Sequence, residues 1–128
     1  MPLEPFPTIP IFVITCDRLT ALTKSLESYR QCLGIVKHEI IICDNGSTYK
    51  PMVDYLKDLA SMGIRIYRFS KMEHQNDHNR IDFAIKDYFK SHPLSNYVVT
   101  DCDVALECPS TILRVLSKLL DMYKDNPQ

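Results

Sequence analysis

Four short apolar segments punctuate the chain, and amphipathic stretches separate them. Residues 11–15 and 39–43 are nearly continuous runs of Ile, Val, Phe and Cys, the composition of strands buried on both faces. Residues 64–69 alternate apolar and basic positions, which suits a strand nearer a sheet edge. Residues 97–100, Tyr97-Val98-Val99-Thr100, form a fourth run that reads as a buried parallel strand. Between these runs the apolar period changes from two to three or four. Leu19, Leu22, Leu26, Tyr29 and Leu33 mark one face of a helix, with Gly34 as its stop. Met52, Val53, Leu56, Leu59 and Ala60 mark a second, with Pro51 in its first turn and Gly63 at its end. Ile81, Ala84, Ile85, Tyr88 and Phe89 mark a third, which ends near His92-Pro93. Pro109 opens a last helix along Ile112, Leu116 and Leu120. Pro2, Pro5, Pro7 and Pro10 make an extended lead-in, and residues 70–80 read as a polar loop.

Strict alternation of strand and helix patterns predicts an α/β fold. The expectation is a mainly parallel sheet of about four strands with helices on both faces, joined by crossovers. No repeat or linker divides residues 1–128, so one domain is expected.

Composition narrows the function classes. Hydrophobic residues make up 45% and charged residues 24% of the chain, as in ordinary globular proteins. The net charge of −1 gives no basic field for nucleic acid, so no nucleic-acid partner is expected. The apolar runs are too short for a membrane span, and the first residues lack a signal-peptide pattern. The five cysteines are odd in number and lack a Cys-x-x-Cys pair. They read as reduced thiols in a cytoplasmic protein. His74 and His78 have the spacing of a helical metal pair but lie in the polar loop.

The chemistry gathers at the strand ends. In a parallel sheet all carboxyl ends share one edge. Here they deliver Thr15-Cys16-Asp17-Arg18, Asp44-Asn45-Gly46-Ser47 and Asp101-Cys102-Asp103. Ligands of open α/β sheets bind beyond that edge. Carboxylates converging there repel one another unless a cation or hydrogen-bond donors offset the charge. Asp101 and Asp103 are hard oxygen donors suited to Mg²⁺ or Mn²⁺ bridging to a diphosphate. Arg80 reads either as a phosphate contact or as a solvated charge at a helix terminus. Arg18 reads either the same way or as a salt bridge fixing the first turn. Asp44 reads as a ligand contact or as the residue holding its own turn. Cys16, Cys43 and Cys102 read as small fillers near the same edge.

The three motifs, in this order at matching strand ends, resemble the nucleotide-sugar-binding half of GT-A fold glycosyltransferases, family 2 in particular. The resemblance runs from about Pro10 to about Leu120. It implies a Rossmann-like nucleotide-binding fold and a glycosyltransferase activity on a UDP- or GDP-sugar, with Mn²⁺ or Mg²⁺ as cofactor and a sugar or protein as acceptor. It implies cofactor-binding roles for Thr15, Asp17, Arg18, Asp44, Asn45, Arg80 and Asp101. Within that set Asp44 would meet the base, Thr15 would wall it, and Asp101 would lie near the ribose and metal. Asp103 would be the direct metal ligand beside Asp101. The chain departs from the pattern at Cys16, where the family often has Tyr, and at Asn79-Arg80-Ile81, which lacks a glycine. The family's acceptor half and catalytic base follow later in sequence. The expectation is therefore a donor half that needs a C-terminal segment or a partner chain. The rival reading is a nucleotide-sugar-binding or interaction domain without turnover. A haloacid-dehalogenase-type phosphatase is excluded by the position of Asp-x-Asp after the fourth run, and a P-loop enzyme by the lack of Gly-x-x-x-x-Gly-Lys.

Overall fold

The structure, a computed structural model, describes residues 8–33, 37–69 and 77–104. In chain order they form β1 (Ile9–Thr15), α1 (Leu19–Cys32), β2 (His38–Asp44), α2 (Lys50–Ser61), β3 (Arg65–Arg68), α3 (Asp77–Lys90) and β4 (Val98–Asp101). The strands make one four-stranded sheet in the order β3-β2-β1-β4, and every pairing is parallel.

Alternation along β1 and β2 sorts the core into two layers. Ile9, Ile11 and Val13 of β1 and Ile42 of β2 pack with Leu22 and Tyr29 of α1 and with Met52, Leu56 and Leu59 of α2. Phe12, Ile41 and Cys43 point the other way, onto Ala84 and Tyr88 of α3. Phe12 meets the rings of Tyr88 and Tyr97 edge-on, a favoured aromatic geometry. The chain thus steps from β1 to β3 with α1 and α2 on one face. It then returns past β2 and β1 to β4 with α3 on the other. The strand order reverses beside β1, so the crevice beyond the carboxyl ends of β1 and β4 is the topological switch point.

Several boundaries differ from the sequence expectation. Strand β1 begins at Ile9 and includes Pro10, which is fully buried. Ile9 N–H donates to Lys37 O on the β2 side, so Pro10, one residue on, turns its missing N–H toward β4. The β4 ladder starts only at Ile11 opposite Val98, so no bond is lost there. Helix α3 begins at Asp77, inside the stretch read as loop, which puts His78 and Arg80 in its first turns. Polar residues in a first turn carry no apolar period, which is why the pattern revealed the helix only from Ile81. Strand β4 was expected to be buried, but alternates half-buried and exposed positions. Val98 packs on the α1 and α2 layer while Val99 on the other face is exposed, and among the described residues β4 pairs only with β1. Ala60, expected on the apolar face of α2, is exposed. Gly34, His74 and the helix after Pro109 lie outside the described residues. No helix among those described is long and apolar enough to cross a membrane.

Burial pushes the Cys43 thiol up from 9.0 to about 12. The folded state therefore keeps that proton after the unfolded chain has lost it. The associated stability is complete below pH ~9 and is lost as pH rises toward ~12. Thermal unfolding measured across that window is expected to show a falling midpoint, and Cys43→Ala should flatten the fall. An equally steep fall in the variant would assign the alkaline loss to other groups. Tyr67 and Tyr88, each raised to about 12 chiefly by burial, would be next.

Candidate functional site

The register aligns three of the expected site residues. Thr15 lies opposite Asp44, and Asp101 lies opposite Ile14. Three adjacent strands therefore end at one height, and their turns leave the sheet together.

The first two turns are tied to each other. Gly46, at φ 95°, takes the left-handed conformation that the Asp44-Asn45-Gly46-Ser47 turn requires. Asp17, at φ 54°, does the same with one of the few side chains that tolerate it. Asp44 is fully buried. Its Oδ1 accepts from Ser47 Oγ. Its Oδ2 accepts from Ser47 N–H at 3.0 Å and Arg68 Nε at 3.1 Å. Arg68 also donates to Ser47 O at 2.8 Å. From the other turn, Asp17 N–H donates to Ser47 Oγ at 2.7 Å. Asp17 Oδ1 accepts from the N–H groups of Thr48 and Tyr49 at 2.7 and 2.8 Å. Asn45 N–H donates to Thr15 O at 2.8 Å, and the Cys16 thiol to Asn45 O at 3.6 Å. Ser47 is the hub of this network, a role its place in the motif hinted at but did not specify.

The third turn is pinned from beneath. Cys102 N–H donates to Ile14 O at 3.0 Å. Ser25 Oγ of α1 donates to Cys102 O at 2.5 Å, and Tyr29 OH to Val104 O at 2.8 Å. Cys102 is buried in the α1 layer, whereas Asp101 and Asp103 on either side of it are exposed. The anchoring of the middle residue turns both carboxylates outward.

A crevice of about 600 Å³ opens between these turns and the first half of α1, with Asp17, Arg18, Thr20, Lys24, Tyr49 and Asp103 among its walls. Across its mouth Arg18 Nη1 sits 3.3 Å from Asp103 Oδ2, with both side chains about half exposed. This pair ties Arg18 of the first turn to Asp103 of the third. Arg80 is 7% exposed and rides on α3, on the opposite face of the sheet from α1. Thr15 is buried, and its Oγ1 has no hydrogen-bond partner among the described residues. Tyr49 and Lys24 were missed because neither turn residues nor a helix's polar face carry a periodic signal.

Among the described residues no group of three or more His, Cys, Asp or Glu side chains is placed to hold a metal. Asp101 and Asp103 offer two exposed hard-oxygen donors. That donor set fits a cation whose other ligands are water and a bound phosphate, the usual way Mg²⁺ is held.

No known family matches the sequence, and no curated protein does. Solved structures do match. TarS of S. aureus, as residues 1–349, superposes with a TM-score of 0.62 at 13% identity, over 92% of this chain and 33% of that one. A second structure of S. aureus TarS gives 0.63 at 13%, over 92% and 20%. The mannosyltransferase PcManGT from Pyrobaculum calidifontis, solved in complex with GDP-Man and Mn²⁺, gives 0.63 at 15%, over 89% and 32%. The fold is similar to that of glycosyltransferases. At this identity the likeness is one of fold, and the chain spans a third or less of the length of each structure.

Proposed function

We propose that this chain is the nucleotide-sugar-binding part of a family 2-like glycosyltransferase, taking a UDP- or GDP-sugar with Mn²⁺ or Mg²⁺. The observation that carries the reading is the convergence of three strand-end turns on one crevice at the switch point of the sheet. The likeness in fold to a mannosyltransferase solved with GDP-Man and Mn²⁺ supports it.

In this reading Asp101 and Asp103 hold the cation. A bound cation neutralises charge on the departing nucleoside diphosphate as a Lewis acid. Arg18 and Lys24 add positive charge on the α1 side of the crevice, where phosphate oxygens can take up their donors. Asp44, with both oxygens engaged by Ser47 and Arg68, acts through the turn it shapes. Asp17 locks that turn to its own. Arg80, buried on α3, is given no part in the chemistry. In this reading the acceptor is a sugar or a protein.

Calorimetry with a panel of nucleoside diphosphates, with and without Mn²⁺, tests the reading. Expected is binding of one of UDP or GDP that weakens about tenfold or more without the cation. Absence of heat with every nucleotide in Mn²⁺ would remove the proposal.

A further inference from the structure

Resting on that nucleotide reading, we infer that Tyr49 is the platform on which the base of the bound nucleotide stacks. Tyr49 lines the crevice and is 54% exposed. Its ring takes part in no ring–ring contact among the described residues. Among the described residues no aromatic cluster holds it.

Local helix chemistry does not account for an aromatic residue here. Tyr49 is the N-cap of α2, in an extended conformation and without a side-chain cap hydrogen bond. That position favours Ser, Thr, Asp or Asn, whose side chains satisfy the orphan N–H groups of the first turn. In this chain the N–H groups of Thr48 and Tyr49 are satisfied from outside, by Asp17 Oδ1. These are the N–H groups before the helix and at its cap, not those of its first turn, and the N-cap position carries a large side chain on a residue that lines the crevice. Departures from local rules of this kind collect at functional sites.

The ring stands on a fixed base. Its N–H is held by Asp17, and its carbonyl accepts from Val53 N–H at 3.0 Å. Pro51 stiffens the first turn of the helix. Little order remains to be imposed on the backbone when a ligand arrives. The other crevice walls include the cations Arg18 and Lys24. An exposed aromatic side chain with two cations beside it, and with Asp103 open to a divalent cation, suits a ligand with a planar ring and an anionic tail carried with that cation. Stacking on an aromatic side chain tolerates any base. Tyr49 therefore supplies affinity and orientation, and hydrogen bonds elsewhere select the base.

The chain contains no tryptophan, so Tyr49→Trp introduces a single fluorescent reporter at the site. UDP or GDP, whichever the wild-type chain binds, is expected to quench that fluorescence in Mn²⁺. Pyrophosphate, which has no base, is expected to leave it unchanged. Tyr49→Ala should weaken the nucleoside diphosphate about tenfold or more, leave pyrophosphate binding unaltered, and regain affinity as Tyr49→Phe. Undiminished nucleotide binding by Tyr49→Ala, or equal losses for nucleotide and pyrophosphate, would overturn the inference while leaving the nucleotide reading intact. Absence of nucleotide binding by the wild-type chain would remove that reading and the inference with it.

Discussion

Replacing Asp44 by alanine is expected to cost about 3 kcal/mol of folding stability and to lower the thermal midpoint by roughly 10 °C. The carboxylate is fully buried and accepts three hydrogen bonds, two from Ser47 and one from Arg68. Its removal leaves buried Ser47 with a hydroxyl and an N–H to satisfy, and each orphaned group costs about 1–3 kcal/mol. Arg68 is half exposed and can turn to water, so its share of the loss is small. The damage spreads, because Ser47 Oγ also receives Asp17 N–H. The turn after β1 loosens with the turn after β2, and nucleotide binding should fall together with stability. Asp44→Asn keeps an acceptor for Ser47 and should fall between the two. Denaturant unfolding measures the effect. A change below about 1 kcal/mol for Asp44→Ala would mean that the buried network is not what holds the turns.

Asp103→Ala is expected to do the reverse: to leave stability within about 0.5 kcal/mol and to remove metal-dependent binding. Its ion pair with Arg18 is half exposed on both sides, and such pairs contribute about 0–1 kcal/mol. As a cation ligand it carries far more. Loss of even an outer partner of a metal ligand costs about tenfold to a hundredfold in affinity, and loss of a direct ligand should cost no less. Arg18 provides a second check with opposite signs. Its guanidinium sits against the oxygen that a cation would take. Arg18→Ala should therefore tighten Mn²⁺ binding by the chain alone while weakening the nucleoside diphosphate. Titration with Mn²⁺ alone and then with nucleotide separates the two effects. Unchanged metal-dependent binding in Asp103→Ala would take that residue out of the site.

Much of this fold is legible in the sequence. Runs such as Ile40-Ile41-Ile42 mark buried strands because both faces of β2 are covered, one by α1 and α2 and the other by α3. The helical period of Leu22, Tyr29 and Leu56 marks the layer they bury. Strand order was not legible, because alternation implies parallel neighbours without saying on which side β4 inserts. The extent of β4's burial was not legible either, since Val98 and Val99 look alike in sequence and differ only in which face is covered. At the site, the acidic turns were visible as motifs and their division of labour was not. Asp17 and Asp103 are both turn carboxylates in sequence. One is consumed by backbone N–H groups of a neighbouring turn, and the other stands open beside an arginine. That difference arises from contacts between segments far apart in the chain.

Pro10 has an effect at the far end of its strand. Side chains alternate along a strand, so a slip of β4 against β1 must be by an even number of residues if the same faces are to stay buried. A slip by two toward the start of β1 would call on position 10 for an N–H that proline lacks. That slide is therefore blocked by an imino acid buried at the opposite edge from the crevice. The height of Asp101 and Asp103 relative to Asp17 and Arg18 is set partly by a residue that touches none of them. A search for determinants of this site confined to its walls would pass over it.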